Sequence, residues 1–504
     1  MVELLWPPVA ISFLIGLAVS WAMEALLQPR PLPPWRRPIA TIAMHAGIWT
    51  VAFGMELALF RRPYFATANV LILQLIIVLV SQAKYQALRE PFIFQDFEYF
   101  VDAVRHPRLY LPFFGAWRAC VAAAVAAAAF AAGLYMEAPI AFGLVIAPML
   151  VVVGALLVWL AGRRRISVSF APENDLERLG LLSSLLLYAI YERQPVQDMI
   201  KDAPFLSRQP ATPKESQRPH VIVIQSESFF DVRREYPEVR ASVLHHFDAL
   251  RAGSVQYGEL EVAARGANTI RSEFAFLSGF GPAAMGVHQF NPYRRLARSN
   301  EIPTIASFLR TQGYRTICIH PYHAHFYARN KVLPKLGFTE FESLSQFVDA
   351  PRFGPYVADA AIADRVVNLL NEDSADPLYV HVITMENHGP LHWEAVEEQD
   401  RSELLRTPLS ADCDELVAYA RHLRNSDAMF GRVAQALQLS KRAGGALCIF
   451  GDHVPIMSQA YRRLGEPLGT TDYVVWRPGC SGPAAEVTEK IEDLAGILLR
   501  NIGF

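Results

Sequence analysis

The stretch ALCIFGDHVP, residues 446–455, joins a continuous apolar run to Gly451, Asp452 and His453. A run that is apolar at every position, rather than at alternate ones, is what a strand covered on both faces of a parallel sheet requires. Three more runs of this kind precede it: HVIVIQ (220–225), TICIH (316–320) and LYVHVI (378–383). Helix-like stretches separate them. The second half of the chain therefore reads as a doubly wound α/β domain with a mostly parallel sheet.

In open α/β sheets, ligands bind beyond the carboxyl ends of the strands. HVIVIQ is followed by Ser226, Glu227 and Ser228; TICI by His320, Tyr322, His323, His325, Tyr327 and Arg329. LYVHVI is followed by Thr384, Glu386, Asn387 and His388; ALCIF by Asp452 and His453. Any one of these groups alone would read as a cap or a surface residue. Four strand ends delivering carboxylates, histidines and hydroxyls to one edge point to a site, because buried ends seldom carry charge without a partner. Glu227, Asp452 and His453 can share one metal ion through oxygen and nitrogen donors. That set suits Mn, Zn or Mg and disfavours copper(I) or an iron–sulfur cluster.

A nucleophile is expected in ARGANTIRSEFAFLSGF, residues 264–280. Gly266 and Asn268 suit a tight turn, and Thr269 then opens a helix that carries Phe274, Phe276 and Leu277 inward. Exposed backbone N–H groups at such a start also receive phosphate oxygens. Arg271 adds positive charge. A plain helix cap is the alternative role for Thr269.

The first half differs. With 504 residues the chain exceeds one typical domain, and its 52% hydrophobic content is high for a wholly soluble enzyme. Mean hydropathy is +0.18. A net charge of -2 argues against nucleic acid as the main partner. None of the five cysteines forms a C-x-x-C pair, so a zinc ribbon or thioredoxin-like site is not expected. Apolar runs at about Leu4–Met23, Pro38–Phe60, Ala66–Gln82, Phe113–Tyr135 and Pro139–Leu160 have the length of membrane-crossing helices. They predict a five-helix transmembrane bundle over 1–161. LERLGLLSSLLLYAIYER (176–193) reads as an amphipathic helix that lies at the membrane surface or packs on the soluble domain. The proline-rich stretch Ala203–Pro219 reads as a linker, giving a juxtamembrane segment over 162–219 and a catalytic domain over 220–504.

Taken together, IQSES with Glu227, NTIRSEFAFLSG with Thr269 and FGDHVP with Asp452 and His453 resemble the lipoteichoic acid synthase and phosphoglycerol transferase family. That family belongs to the sulfatase-like alkaline phosphatase superfamily. The resemblance covers most of 220–480, and LREPFIFQDFEYF (88–100) looks like a further family element. It implies an alkaline-phosphatase-like α/β domain on a helical transmembrane bundle. It also implies that Glu227, Thr269, Asp452 and His453 hold one divalent ion, usually manganese, with Thr269 as the nucleophile. His320, Tyr327, Arg329 and His388 then match the positions that hold the phosphoglycerol head group, with Tyr327 where the Gram-positive synthases typically have Trp. The implied partners are a phospholipid donor such as phosphatidylglycerol, a glycan, polymer or lipid acceptor, and the membrane. The resemblance puts the catalytic domain on the periplasmic or extracellular side of a bacterial inner membrane, whereas the distribution of Arg and Lys around the spans runs the other way.

Three rival readings follow. A sulfatase proper needs Cys or Ser in a C/S-x-P-x-R context, which Thr269-Ile270-Arg271 lacks. A phosphoethanolamine transferase would share the threonine and the metal. A non-catalytic envelope protein would have no need of the complete set.

Overall fold

Long apolar segments that meet no water must close their peptide hydrogen bonds internally, and they do so as helices. The first half forms α1 (Trp6–Glu24), α2 (Ile39–Phe60), α3 (Pro63–Leu88), α4 (Ala116–Met136) and α5 (Gly143–Gly162). The computed structural model describes residues 6–98, 116–141, 143–194, 201, 203–206, 218–298, 301–373, 376–442, 444–480 and 483–504. Among the described residues, four helices are long and apolar enough to cross a membrane: Pro7–Glu24, Ile39–Phe60, Pro63–Leu88 and Gly143–Gly162. The fourth expected run, Phe113–Tyr135, begins outside the described residues, and the rest of it is α4. Helices α2 and α5 meet through small residues: a Cβ on Gly154 would lie 2.7 Å from the Gly47 carbonyl oxygen.

The single amphipathic helix expected over 176–193 is two helices, α6 (Pro172–Leu179) and α7 (Leu181–Tyr191). Gly180 breaks the run at φ 80°, a conformation that side chains other than glycine rarely adopt. Helix α7 packs on the bundle, with Leu181, Ser183, Leu185, Leu187 and Tyr188 buried. Its first backbone N–H, at Leu181, donates to Glu24 Oε1 at 2.9 Å. Glu24 is itself buried and ion-paired with Arg37.

The chain divides into two units, Met1–Gln194 and Pro195–Phe504. The division precedes the expected linker, because Ala203 and Phe205 are buried in the apolar core of the second unit. The second unit is built on strands β1 (Val221–Ser226), β2 (Ser254–Glu261), β3 (Arg315–Ile319), β4 (Glu340–Glu342), a hairpin β5 (Arg352–Phe353) and β6 (Tyr356–Val357), β7 (Leu378–Ile383), β8 (Ala446–Gly451), β9 (Thr471–Trp476), β10 (Ala485–Glu486) and β11 (Glu489–Lys490). The main sheet runs β10-β2-β9-β8-β1-β7-β3-β4, with β11 also on β2. From β8 to β4 all neighbours are parallel; β9 is antiparallel to both β8 and β2. Both faces are covered. Ile222 and Ile224 of β1 enter one apolar core, while Val221 and Val223 enter the other. This is why the central strands are apolar without alternation.

Candidate active site

Strand register delivers the site. In β1, Ser226 lies opposite Gly451 of β8, and Gln225 opposite Ile383 of β7. One residue further along each strand, Glu227, Asp452 and Thr384 emerge together. The Glu227 backbone N–H donates to Thr384 Oγ1 at 2.9 Å. The turn after β8 needs glycine, since a Cβ on Gly451 would sit 1.7 Å from the Phe229 carbonyl oxygen.

Ligand atoms of Glu227, Asp452 and His453 lie within 4.8 Å of one another, and all three residues are buried. His453 Nε2 is 3.5 Å from Glu227 Oε1 and 3.6 Å from Asp452 Oδ2. His453 Nδ1 is 3.1 Å from the Val454 carbonyl oxygen, to which it donates, so Nε2 faces the carboxylates. Asp452 Oδ1 accepts from the Ser228 backbone N–H at 2.9 Å, but Asp452 Oδ2 is buried with no hydrogen-bond partner. Among the described residues no Lys or Arg pairs with these acids. Burial and the neighbouring Glu227 push the Asp452 carboxyl up to about 7, against the pull of His453. Burial alone would strip the proton from His453, but Asp452 and Glu227 outweigh it and raise its pKa. Two crowded acids, one imidazole and an orphaned oxygen fit a divalent cation, which would supply the missing charge.

Thr269 is the first residue of α8 (Thr269–Ser278), and the cap position is taken by Asn268 at φ 66°. The Thr269 hydroxyl does not cap. It faces Glu227 Oε2 at 3.4 Å and also holds down the pKa of Asp452. Ser272, in the same helix, donates to the Asp452 carbonyl oxygen at 2.7 Å and ties α8 to the end of β8. Arg271 does not stand free beside the nucleophile. Its guanidinium packs 5.0 Å from the Phe290 ring centroid, and its Nε donates to the Phe290 carbonyl oxygen at 3.3 Å. Ser228, next to Glu227, is held at φ 53°, with its carbonyl oxygen accepting from Tyr419 Oη at 2.6 Å. Non-glycine residues held there cluster at functional sites.

The second group of expected residues gathers at the ends of β3 and β7. His320 Nδ1 donates to the Ile383 carbonyl oxygen at 3.1 Å, and its Nε2 accepts from Arg329 Nη1 at 3.1 Å. Burial and the Arg329 cation hold the His320 pKa well below its usual value, so the imidazole is neutral. Arg329 is also buried. The fork that the sequence analysis offers to phosphate is taken by Glu273 of α8, whose Oε2 is 2.7 Å from Nη2. Glu273 Oε1 also accepts from Tyr293 Oη at 2.6 Å. Tyr327 lies under Arg329, 5.3 Å from ring centroid to Cζ. His388 packs against Tyr356 from β6, with ring centroids 5.6 Å apart. A file of rings, Tyr356, Tyr322 and His320, connects His388 to Arg329, with centroids 6.5 Å and 6.1 Å apart. Sequence reasoning placed Tyr322 at this strand end but missed Glu273 and Tyr356 as site residues. Glu273 could have been found, since it lies four positions after Thr269 on the same helix face.

The Sulfatase family model matches residues 219–499. The chain belongs to the sulfatase family. Two curated relatives come from Rhizobium meliloti (strain 1021). The capsular polysaccharide biosynthesis protein RkpI is 34% identical over 279 residues, covering 55% of this chain and 48% of its own. A putative cyclic beta-1,2-glucan modification protein is 28% identical over 257 residues, covering 50% of this chain and 38% of its own. The chain thus spans about half or less of the length of these relatives. Among solved structures, the fold resembles the integral membrane protein lipooligosaccharide phosphoethanolamine transferase A (EptA) from Neisseria meningitidis. The likeness covers 98% of this chain and 95% of that one, at 13% identity and a TM-score of 0.56. The likeness in fold thus takes in both the apolar helical unit and the sulfatase-family domain of this chain.

Proposed function

We propose that the chain is a membrane-bound phosphotransferase that moves glycerophosphate from a phospholipid to an envelope glycan, polymer or lipid through a phosphothreonine at Thr269. The observation that carries this reading is the Thr269 hydroxyl, aimed at two buried acids at a helix start instead of capping that helix. Glu227, Asp452 and His453, with Thr269, would hold one divalent ion, Mn2+ by resemblance, with Zn2+ and Mg2+ also suited to these donors. Bound there, it would lower the pKa of the threonine hydroxyl and neutralise charge on the attacked phosphoryl group. The α8 N-terminus presents backbone N–H groups to the phosphoryl oxygens. The Thr269 Oγ1–phosphorus bond forms as the bond to the diacylglycerol oxygen breaks, and that oxygen leaves with a proton. An acceptor hydroxyl then displaces Thr269 and restores its hydroxyl. His320, Tyr327 and His388 line the head-group side, and Arg329, paired with Glu273, fixes the orientation of His320.

The names of the two Rhizobium relatives, which concern polysaccharide and glucan, support a glycan as acceptor. The lipid donor supports a catalytic unit facing the periplasm or exterior. The exposed Cys480 should then react with a membrane-impermeant maleimide on cells whose outer barrier is opened, and a cytoplasmic orientation would leave it unlabelled. The decisive experiment is mass spectrometry of protein incubated with phosphatidylglycerol and no acceptor. A phosphoglycerol adduct on the Thr269 peptide is expected. A phosphoethanolamine adduct formed only from phosphatidylethanolamine would replace the donor, and full turnover without Thr269 would end the covalent mechanism.

A further inference from the structure

Behind Glu227, away from Thr269, lies a chain of buried polar groups that the mechanism above does not use. The Glu227 carbonyl oxygen accepts from Asn387 Nδ2 at 2.9 Å. Asn387 Oδ1 lies 3.1 Å from Ser426 Oγ, and Ser426 Oγ lies 2.7 Å from Asp359 Oδ2. Ser426 belongs to α10 (Asp414–Leu439), and Asp359 is the first residue of α9 (Asp359–Asn371). Asp359, Asn387 and Ser426 are each 0% exposed, so protons must be shared among these groups alone.

Counting protons settles the direction of the chain. A carbonyl oxygen only accepts, so the Asn387 amide must turn its NH2 toward Glu227 and its oxygen toward Ser426. Ser426 has one hydrogen and two oxygen neighbours. With an ionised Asp359, one of those two contacts would bring acceptor against acceptor. With a protonated Asp359, every contact has a donor. We propose that Asp359 is held as a neutral carboxylic acid and is a positioning residue that orients the Glu227 peptide through a one-way relay, Asp359 to Ser426 to Asn387 to Glu227. The proposal deepens the functional reading, since it rests on Glu227 as a metal ligand.

The surrounding charges agree. Glu386, at the end of β7, faces Asp359. Its Oε2 accepts from the Asp359 backbone N–H at 2.6 Å, and its Oε1 accepts from Asn425 Nδ2 at 2.6 Å. His422 of α10 lies between Glu386 and Glu394, and these two acids overcome its burial and raise its pKa to about 9. Arg421 is paired with Glu394 and Asp400. Each cation already has its anions, and a further buried anion at Asp359 would have none. The α9 N-terminus favours the anion. Burial and the Glu386 charge win, pushing Asp359 up to about 8 against Ser426 and His422.

The test uses the full-length protein, Asp359→Asn, which keeps a donor toward Ser426, and Ser426→Ala, which breaks the relay. Infrared difference spectra of wild type minus Asp359→Asn at neutral pH should show the carbonyl stretch of a protonated carboxylic acid. Its absence overturns the neutral acid. Titration with Mn2+ alone reads the positioning role. In the wild type, affinity should rise as Asp452 loses its proton near pH 7 and then fall again as pH climbs past about 8 and Asp359 ionises. Asp359→Asn should bind as tightly as wild type below that pH and lose the fall. Ser426→Ala should bind about tenfold more weakly at every pH. A fall that persists in Asp359→Asn overturns the positioning role. A folded wild type that binds no Mn2+ overturns Glu227 as a ligand, and the positioning role with it, while the infrared result still decides the acid.

Discussion

Two buried ionic clusters meet α8 one turn apart, and they are built to opposite rules. Around Arg329, the ion pair to Glu273 is 2.7 Å long, and both nitrogens of His320 are engaged. Charge is balanced there, and the geometry is closed without help. Around Asp452, two acids and an imidazole stand 3.5 Å and 3.6 Å apart, and one buried carboxylate oxygen has no partner. A buried cluster that closes on itself holds the fold together. One left open and overcharged is waiting for a ligand. Helix α8 joins the two through Thr269 at the open cluster and Glu273 at the closed one.

The largest expected effect lies on the open side. Thr269→Ala should lower the proposed turnover of phosphatidylglycerol on the order of a thousandfold or more, because it removes the hydroxyl at the start of α8 that is proposed to attack. Its thermal unfolding should change by about 1 kcal/mol or less, since Asn268 occupies the cap position. Near-normal turnover in this variant would make both clusters structural.

Next come substitutions that should move stability in opposite directions. Glu273→Ala leaves Arg329 buried and unpaired, and should cost roughly 3–5 kcal/mol in thermal or denaturant unfolding. Asp452→Asn relieves crowding with Glu227, so in metal-free protein it should leave stability unchanged or raised, while Mn2+ binding is lost in calorimetry. Equal destabilisation by both would erase the distinction.

The smallest effect is a pH dependence confined to the open cluster. Asp452 has a folded-state pKa raised to about 7, above its unfolded value. In metal-free protein its contribution to stability is therefore complete at low pH and lost as pH rises through about 7. Bound metal competes with that proton. The gain in melting temperature on adding Mn2+ should widen between about pH 6 and pH 8. Asp452→Asn should abolish the widening, whereas Arg329→Lys should leave it in place.

Much of this architecture is legible locally, and the misses share a cause. The four central strands read correctly because a parallel sheet buried on both faces demands an unbroken apolar run, a property of each segment by itself. The strand ends read correctly because charge behind such a run is conspicuous. Helix α7 misreads as a surface helix because its apolar face looks the same whether lipid or protein covers it. The break at Gly180 and the buried Glu24 beneath α7 appear only once the bundle is assembled. Arg329 misreads as a free fork because its partner, Glu273, precedes it by 56 positions.

Composition, apolar periodicity and residue type determined by themselves that the chain has an apolar helical half and an α/β half, with Thr269, Glu227, Asp452 and His453 behind strand ends or at a helix start. These are short-range properties, set by peptide hydrogen bonding and by which side chains tolerate burial. Tertiary structure alone decided which acid meets which base. It set Ser226 against Gly451, so that Glu227 and Asp452 crowd together, and it brought Glu273 to Arg329 and Ser426 to Asn387. Those pairings depend on sheet register and helix packing across scores or hundreds of residues, and no local pattern encodes them.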